Sequence, residues 1–274
     1  MINMKSSVKI IFIVCLGAML TGCVSETVLE PVPEIHDGIL QGYLPTESLP
    51  DSLVLIPPAP AAGSTTQARD DDTSQKSLKL RGSPRWDLAT ADNNLMFPET
   101  AGTFSCALNA PINQQDTPQL YRLLRRTLAD AGLSTYTAKN HYQRTRPFVV
   151  NGEPTCAPDE EEMLRNDGSY PSGHTAIGWA WALILSEVSP EQTDKILARG
   201  RAFGQSRVVC NVHWQSDVME GRFMGAAAVA RLHGDLAFKS AVVAAKAEVE
   251  AARTRGLSPQ RDCDAETEAL AIKE

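Results

Sequence analysis

The chain has 274 residues, 43% of them hydrophobic, a formal net charge of −7 and a pI of about 5.3. That length holds one large domain with tails or two small domains, and the apolar share is enough for a sizeable core. The acidic balance argues against a nucleic-acid binder, which would carry a basic face, yet leaves room for a local basic pocket that draws small anions.

Residues 1–22 read as a targeting segment. Lys5 and Lys9 form a positive n-region, and Ile10 to Leu20 is an apolar stretch too short to span a bilayer comfortably. Leu20-Thr21-Gly22-Cys23 follows and resembles a bacterial lipobox, in which Cys23 is lipidated and becomes the mature N-terminus. The alternative is plain secretion with a chance cysteine beside an ordinary cleavage site. Loss of Lys5 and Lys9 with the leader takes the net charge from −7 to −9. Val24 after the cysteine, in place of an inner-membrane-retention Asp, favours a periplasmic domain on the outer membrane.

Residues 23–48 are punctuated by Pro, Glu and Gly and are expected to be a tether. Leu53-Val54-Leu55-Ile56 ahead of Pro57-Pro58-Ala59-Pro60 is expected to be an extended apolar segment laid on the domain. Asp70-Asp71-Asp72 reads as a solvated helix face rather than a cation site. From about residue 85 the pattern is helical. Pro118 at a first helical position, Leu120, Leu123, Leu124 and Leu128 at helical spacing, and Gly132 as a stop predict one helix. Ile177, Trp181, Ile184, Leu185 and Val188 predict another. Ser189 with Gln192 predicts a capped start to a helix through Ile196, Leu197 and Phe203. Two more helices are expected over about 214–231 and 236–255. Alternating strand runs are scarce, so the fold class is all-α. A single helical-bundle domain over 49–255 is expected, with an N-terminal extended segment and a tail over 256–274.

Four cysteines remain in the body: Cys106, Cys156, Cys210 and Cys263. Export makes disulfides the expected state, and four cysteines allow three pairings, all left open here. None lies in a Cys-x-x-Cys pair, which disfavours zinc.

Three clusters carry the chemistry. Lys139, Arg146 and Arg207 supply cations from separated places, and the planar arginine fork matches phosphate oxygens. Pro171-Ser172-Gly173-His174 stands just before a helical stripe. There the Ser172 hydroxyl and Gly173 amide are natural donors to an anion at a helix start. Ser172 lacks the Gly-x-Ser-x-Gly setting of an elbow-type nucleophile. His213 and Asp217 are four apart, so in a helix they share a face, and the carboxylate can fix the imidazole tautomer. That leaves the other nitrogen of His213 able to attack phosphorus, with His174 as the acid for a leaving group. Three cations around one pocket would repel a divalent ion, so no metal or other cofactor is expected. His36 falls in the tether, and His141 and His233 read as surface or packing residues.

The ordered pattern Lys139-x6-Arg146-Pro147, Pro171-Ser172-Gly173-His174 and Ser206-Arg207-x5-His213-x3-Asp217 resembles the phosphatidic acid phosphatase type 2 superfamily. The fuller strings are similar to class A bacterial non-specific acid phosphatases. They are Gly168 to Thr175, Gly204 to Arg207, His213 to Val218, and His141-Tyr142 followed by Arg144-x-Arg146-Pro147-Phe148. The likeness runs from about residue 50 to 250; the lipobox departs from it, and the segment after Arg255 with Cys263 is not explained by it. The resemblance implies an all-α, metal-independent acid phosphatase. In it, His213 would become a phosphohistidine oriented by Asp217, and His174 would protonate the leaving group. Lys139, Arg146, Ser172, Gly173 and Arg207 would hold the phosphoryl oxygens. It also implies activity below neutral pH on small phosphomonoesters, with no nucleic-acid partner. Membrane attachment is expected only through a lipid on Cys23, and assembly into a homo-oligomer is left open. Rival readings are a vanadate-dependent haloperoxidase or a lipid phosphate phosphatase of the same superfamily, and a non-catalytic anion-binding lipoprotein.

Overall fold

The computed structural model describes residues 30–272; the leader and Cys23 lie outside them. A two-stranded antiparallel hairpin comes first, β1 (Glu34–His36) with β2 (Ile39–Leu40), Glu34 facing Leu40 and His36 facing Ile39. Helices follow: α1 (Ser52–Leu55), α2 (Thr65–Ser77), α3 (Pro84–Asn93), α4 (Ser105–Leu108), α5 (Pro118–Leu133), α6 (Tyr136–Tyr142), α7 (Pro147–Asn151) and α8 (Glu161–Arg165). The larger helices close the chain: α9 (Gly173–Val188), α10 (Thr193–Val209), α11 (Gln215–Leu232), α12 (Leu236–Thr254) and α13 (Cys263–Ala271). The chain is therefore all-α from residue 52 onward. No helix among the described residues is long and apolar enough to cross a membrane.

Local signals set most starts. Ser64, Ser83, Asp235 and Asp262 cap α2, α3, α12 and α13 by accepting a backbone N–H, and Pro118 opens α5. Three expectations shift. Leu53-Val54-Leu55, expected to lie extended on the domain, instead forms the short helix α1 capped by Asp51, with all three side chains exposed and only Ile56 buried. Gly132 lies inside the last turn of α5, where a side chain would press on Ile177, rather than beyond it. Ser189 does not cap a backbone amide. Its hydroxyl donates to Glu191 at 2.6 Å and accepts from Arg253 of α12 at 2.7 Å, and α10 begins only at Thr193 after a short 3-10 turn.

Helix α9 is the axis of the core. It is apolar on all sides, with Ile177, Trp181, Ile184, Leu185 and Val188 buried, and α5, α10, α11 and α12 pack around it. Each such side chain contributes roughly 1.5–3 kcal/mol on burial. Trp181 meets Phe97 and Phe104 edge-on and donates its indole N–H to the Leu124 carbonyl at 3.0 Å. Close approach of α10 depends on Gly178, where a methyl would lie 2.1 Å from the Phe203 ring.

Both ends of the body are held more firmly than a tether or tail implies. Asp130 on α5 accepts the Tyr43 and Leu44 amides, each at 2.9 Å, and Arg126 donates to the Gln41 and Gly42 carbonyls. Residues 34–44 thus form a strap on α5, because a buried carboxylate and an arginine satisfy backbone groups that an open tether would leave to water. At the other end α13 packs on α3 and is stapled by Cys106–Cys263, Cα atoms 5.5 Å apart. The second disulfide is Cys156–Cys210.

Candidate active site

Five chain segments meet at the start of α9. Lys139 lies in the last turn of α6, and Arg146 is the extended residue before Pro147 that opens α7. Ser172 caps α9, its oxygen accepting from the Thr175 amide at 3.3 Å and the Thr175 hydroxyl at 2.9 Å, and Gly173 and His174 are the first helical residues. Arg207 is in the last turn of α10, His213 is in the short connection after it, and Asp217 is in the first turn of α11. The Ser172 amide donates to the Asp217 carbonyl at 3.0 Å, tying α9 to α11. Gly221 permits that approach, since a methyl there would lie 2.5 Å from the Ser172 carbonyl oxygen.

The tautomer of His213 follows from its neighbours. A guanidinium has donors only, and Arg146 Nη1 stands 3.1 Å from His213 Nε2, so Nε2 carries a lone pair. Nδ1–H then donates to Asp217 Oδ2 at 3.2 Å. The expected pairing is present, but it does not come from a shared helical face, because His213 precedes α11. Asp217 reaches back instead, accepting the Trp214 amide at 2.8 Å as the return half of a capping box does. Both side chains are buried. Burial, then Arg146, Lys139 and Arg207, holds the His213 imidazole well below its usual range and so keeps it neutral. Burial pushes Asp217 up, opposed by Arg144 and the Trp214 amide.

The cations are desolvated. Burial, and then Arg146, lowers Lys139 to about 8. Burial also lowers Arg207, whose Nε–H is buried with no hydrogen-bond partner among the described residues. Its Nη1 donates to the Asn93 side chain at 2.5 Å. His174 Nε2 sits 2.9 Å from the Asn93 carbonyl and must donate to it. Burial, then Arg207, holds this imidazole well below its usual range too. Asp167 pairs with Lys139 and Arg146, Asp217 acts on both from further off, and Glu160 acts on Arg207. The pocket thus gathers three desolvated cations and an unpaired buried donor, a setting that suits a small oxyanion. Among the described residues no group of three or more His, Cys, Asp or Glu is placed to hold a metal.

All eight side chains or amides expected at the site are brought together here; Cys23 lies outside the described residues. Several participants had no assigned role in the sequence reading. Asp70, expected on a solvated face, is 2% exposed. It pairs with Arg144 at 2.7 Å and accepts the Ser216 amide at 2.9 Å. Arg144 in turn donates to Asp217 at 2.6 Å, so a buried line runs from His213 through Asp217 and Arg144 to Asp70. The helical turn buries Asp70, while Asp71 and Asp72 stay exposed. Asn93 and Asp167 were also missed. Only the position of Asp167 directly before the Gly168 string pointed to it.

A family model described as "PAP2 superfamily" matches residues 122–238, a span that runs from before Lys139 to beyond Asp217. The chain is 42% identical over 244 residues to a non-specific acid phosphatase of Providencia stuartii, covering 88% of this chain and 97% of that one. It is 42% identical to an acid phosphatase of Zymomonas mobilis over 76% of this chain and 79% of that one. It is 41% identical to a non-specific acid phosphatase of Salmonella typhimurium over 76% and 83%. The chain belongs to the class A non-specific acid phosphatases. As a member of the PAP2 superfamily, this acid phosphatase is a phosphomonoester hydrolase. In the phosphatase, the matched span contains every residue of the cationic pocket except Asn93 from α3.

Proposed function

We propose that this phosphatase hydrolyses small organic phosphomonoesters without a metal, through a phosphohistidine on His213. The observation that carries the reading is the Nε2 lone pair of His213, fixed by Asp217 on the far side of the ring and facing the buried Arg146 guanidinium, with Lys139 and Arg207 close by. Nε2 attacks phosphorus and the ester P–O bond breaks. Its electron pair leaves on the alkoxide, which takes a proton from His174 and departs as an alcohol. Water then attacks the phosphohistidine, the N–P bond breaks, His174 takes the water proton, and phosphate leaves.

Lys139, Arg146 and Arg207 hold the nonbridging oxygens as charge builds on them. The Ser172 oxygen already accepts two hydrogen bonds, so its own hydrogen is available to the phosphoryl group. Gly173 offers an amide at the N-terminus of a 16-residue helix. In the free enzyme Arg207 suppresses protonation of His174; a bound phosphoryl anion offsets that cation and lets the ring charge.

The test is to trap enzyme labelled from a phosphomonoester in the presence of EDTA. The adduct should survive alkali, be lost in acid, and be absent from His213→Ala, which should still bind phosphate. Normal turnover by His213→Ala, or loss of activity with chelator, would overturn the reading.

The lipobox and the two disulfides support an exported, oxidising setting, and with it a lipid anchor at Cys23 and a periplasmic domain. Labelled palmitate should enter the protein and not its Cys23→Ser variant; equal labelling of both would remove the anchor.

A further inference from the structure

We propose that Asp167 is an internal counter-ion, which the phosphoryl group of the substrate displaces and which sets how tightly phosphate is held. This rests on the reading of Lys139 and Arg146 as the cations that grip phosphate. Arg146 has five N–H donors and all are engaged. Nε–H is shared by the Leu164 and Asp167 carbonyls, each at 3.0 Å. Nη1 serves the Val212 carbonyl at 3.0 Å and His213 Nε2 at 3.1 Å. Nη2 serves Asp167 Oδ2 at 2.9 Å and the Gly168 carbonyl at 3.3 Å. A phosphoryl oxygen can reach this guanidinium only by replacing something. The carbonyls belong to the main chain, so the exchangeable partners are the Asp167 carboxylate and His213.

Lys139 points the same way. Its ammonium donates to the Gly168 carbonyl at 2.6 Å and pairs with the same Asp167 oxygen at 3.4 Å. One carboxylate oxygen thus bridges two cations, as an oxygen of a phosphate ester would. Lys139 and Arg146 are buried, but the Asp167 side chain is 34% exposed, so the carboxylate can turn to solvent while the cations cannot.

A carboxylate in this place could instead be a strut that aims Arg146. The geometry favours competition, because four main-chain carbonyls orient the guanidinium without the Asp167 side chain. The two roles predict opposite signs.

The experiment measures inhibition of p-nitrophenyl phosphate hydrolysis by inorganic phosphate in the wild type, Asp167→Asn and Asp167→Glu, with thermal midpoints checking folding. In Asp167→Asn the inhibition constant should fall about two- to tenfold, the range open to a partly exposed charge pair, and KM should fall with it. Asp167→Glu should stay near wild type. If Asp167→Asn does not fold, Asp167→Ala is read the same way. An unchanged or raised inhibition constant in a folded variant overturns the proposal while leaving the site reading intact. Arg146→Gln separates the two failures: phosphate inhibition as strong as wild type in that variant would sink the site reading and this proposal together.

Discussion

His213 and His174 share one pocket and one suppressed basicity, and their partners divide the labour. Nε2 of His213 faces a guanidinium and stays a bare lone pair, whereas Nε2–H of His174 is committed to the Asn93 carbonyl, which leaves Nδ1 to take and give a proton. In the proposed mechanism the working form of His174 is charged: burial and Arg207 hold its pKa down in the free enzyme, and a bound phosphoryl group would raise it. Turnover of an alkyl phosphate should therefore be high in acid and fall as pH rises through the pKa of His174 in the complex. His174→Ala should lower kcat for alkyl phosphates by about 10²–10⁴ and flatten that alkaline limb. The loss in the rate of phosphoenzyme formation should be far smaller for p-nitrophenyl phosphate, whose leaving group departs without a proton, whereas the later water step needs His174 with either substrate. Equal losses of that first-step rate on both substrates would deny His174 the acid role. These two imidazoles were legible in the sequence because short strings hold them. Asn93 was not, since half of its contribution comes through a backbone carbonyl, which no residue type announces.

Helix α2 has no apolar stripe, and Asp70, Ser74 and Ser77 are its buried residues. Their spacing is that of one helix face, but short polar side chains leave no hydrophobic signature, so the Asp70-Asp71-Asp72 run read as solvated. The large helices were legible because α5 and α9 carry apolar repeats, with Pro118 opening α5 and Ser172 capping α9, and because α11 and α12 are rich in alanine. The hairpin strap was not, because it is held by Asp130, Arg125 and Arg126 rather than by its own pattern. The proposed mechanism would make α2 a backing element: Asp70 pairs with Arg144, which pairs with Asp217. In Asp70→Asn, kcat should fall on the order of tenfold, about 1.4 kcal/mol of barrier, the size of one charge-assisted hydrogen bond. KM and inhibition by phosphate should hold, and the phosphoenzyme should form more slowly. A lowered melting point with unchanged kcat would make Asp70 structural only.

At the scale of the whole molecule, a long-range disulfide closes the chain. Cys106 and Cys263 are 157 residues apart in sequence, and the pair joins the turn of α4 to the start of α13. Cys106→Ser with Cys263→Ser should lower stability by about 2–5 kcal/mol, read as an earlier denaturant midpoint under non-reducing conditions. No shift would mean that α13 holds by packing alone. The sequence offered three pairings for four thiols, and choosing among them needs the fold, because pairing is decided by which Cα atoms come within reach.

The last helix also reaches inward. Glu266 pairs with Arg199, Arg199 with Asp92, and Asp92 accepts the hydroxyl of Ser206, next to Arg207. Asp92 adjoins Asn93, so the far end of the polypeptide steadies the same dipeptide that steers a histidine and an arginine at the reaction centre. For a biochemist who wants to glue this enzyme to a bead or append a reporter, the carboxyl end is therefore the wrong handle. A clipped or tugged terminus should show itself first as slow chemistry, before any loss of solubility.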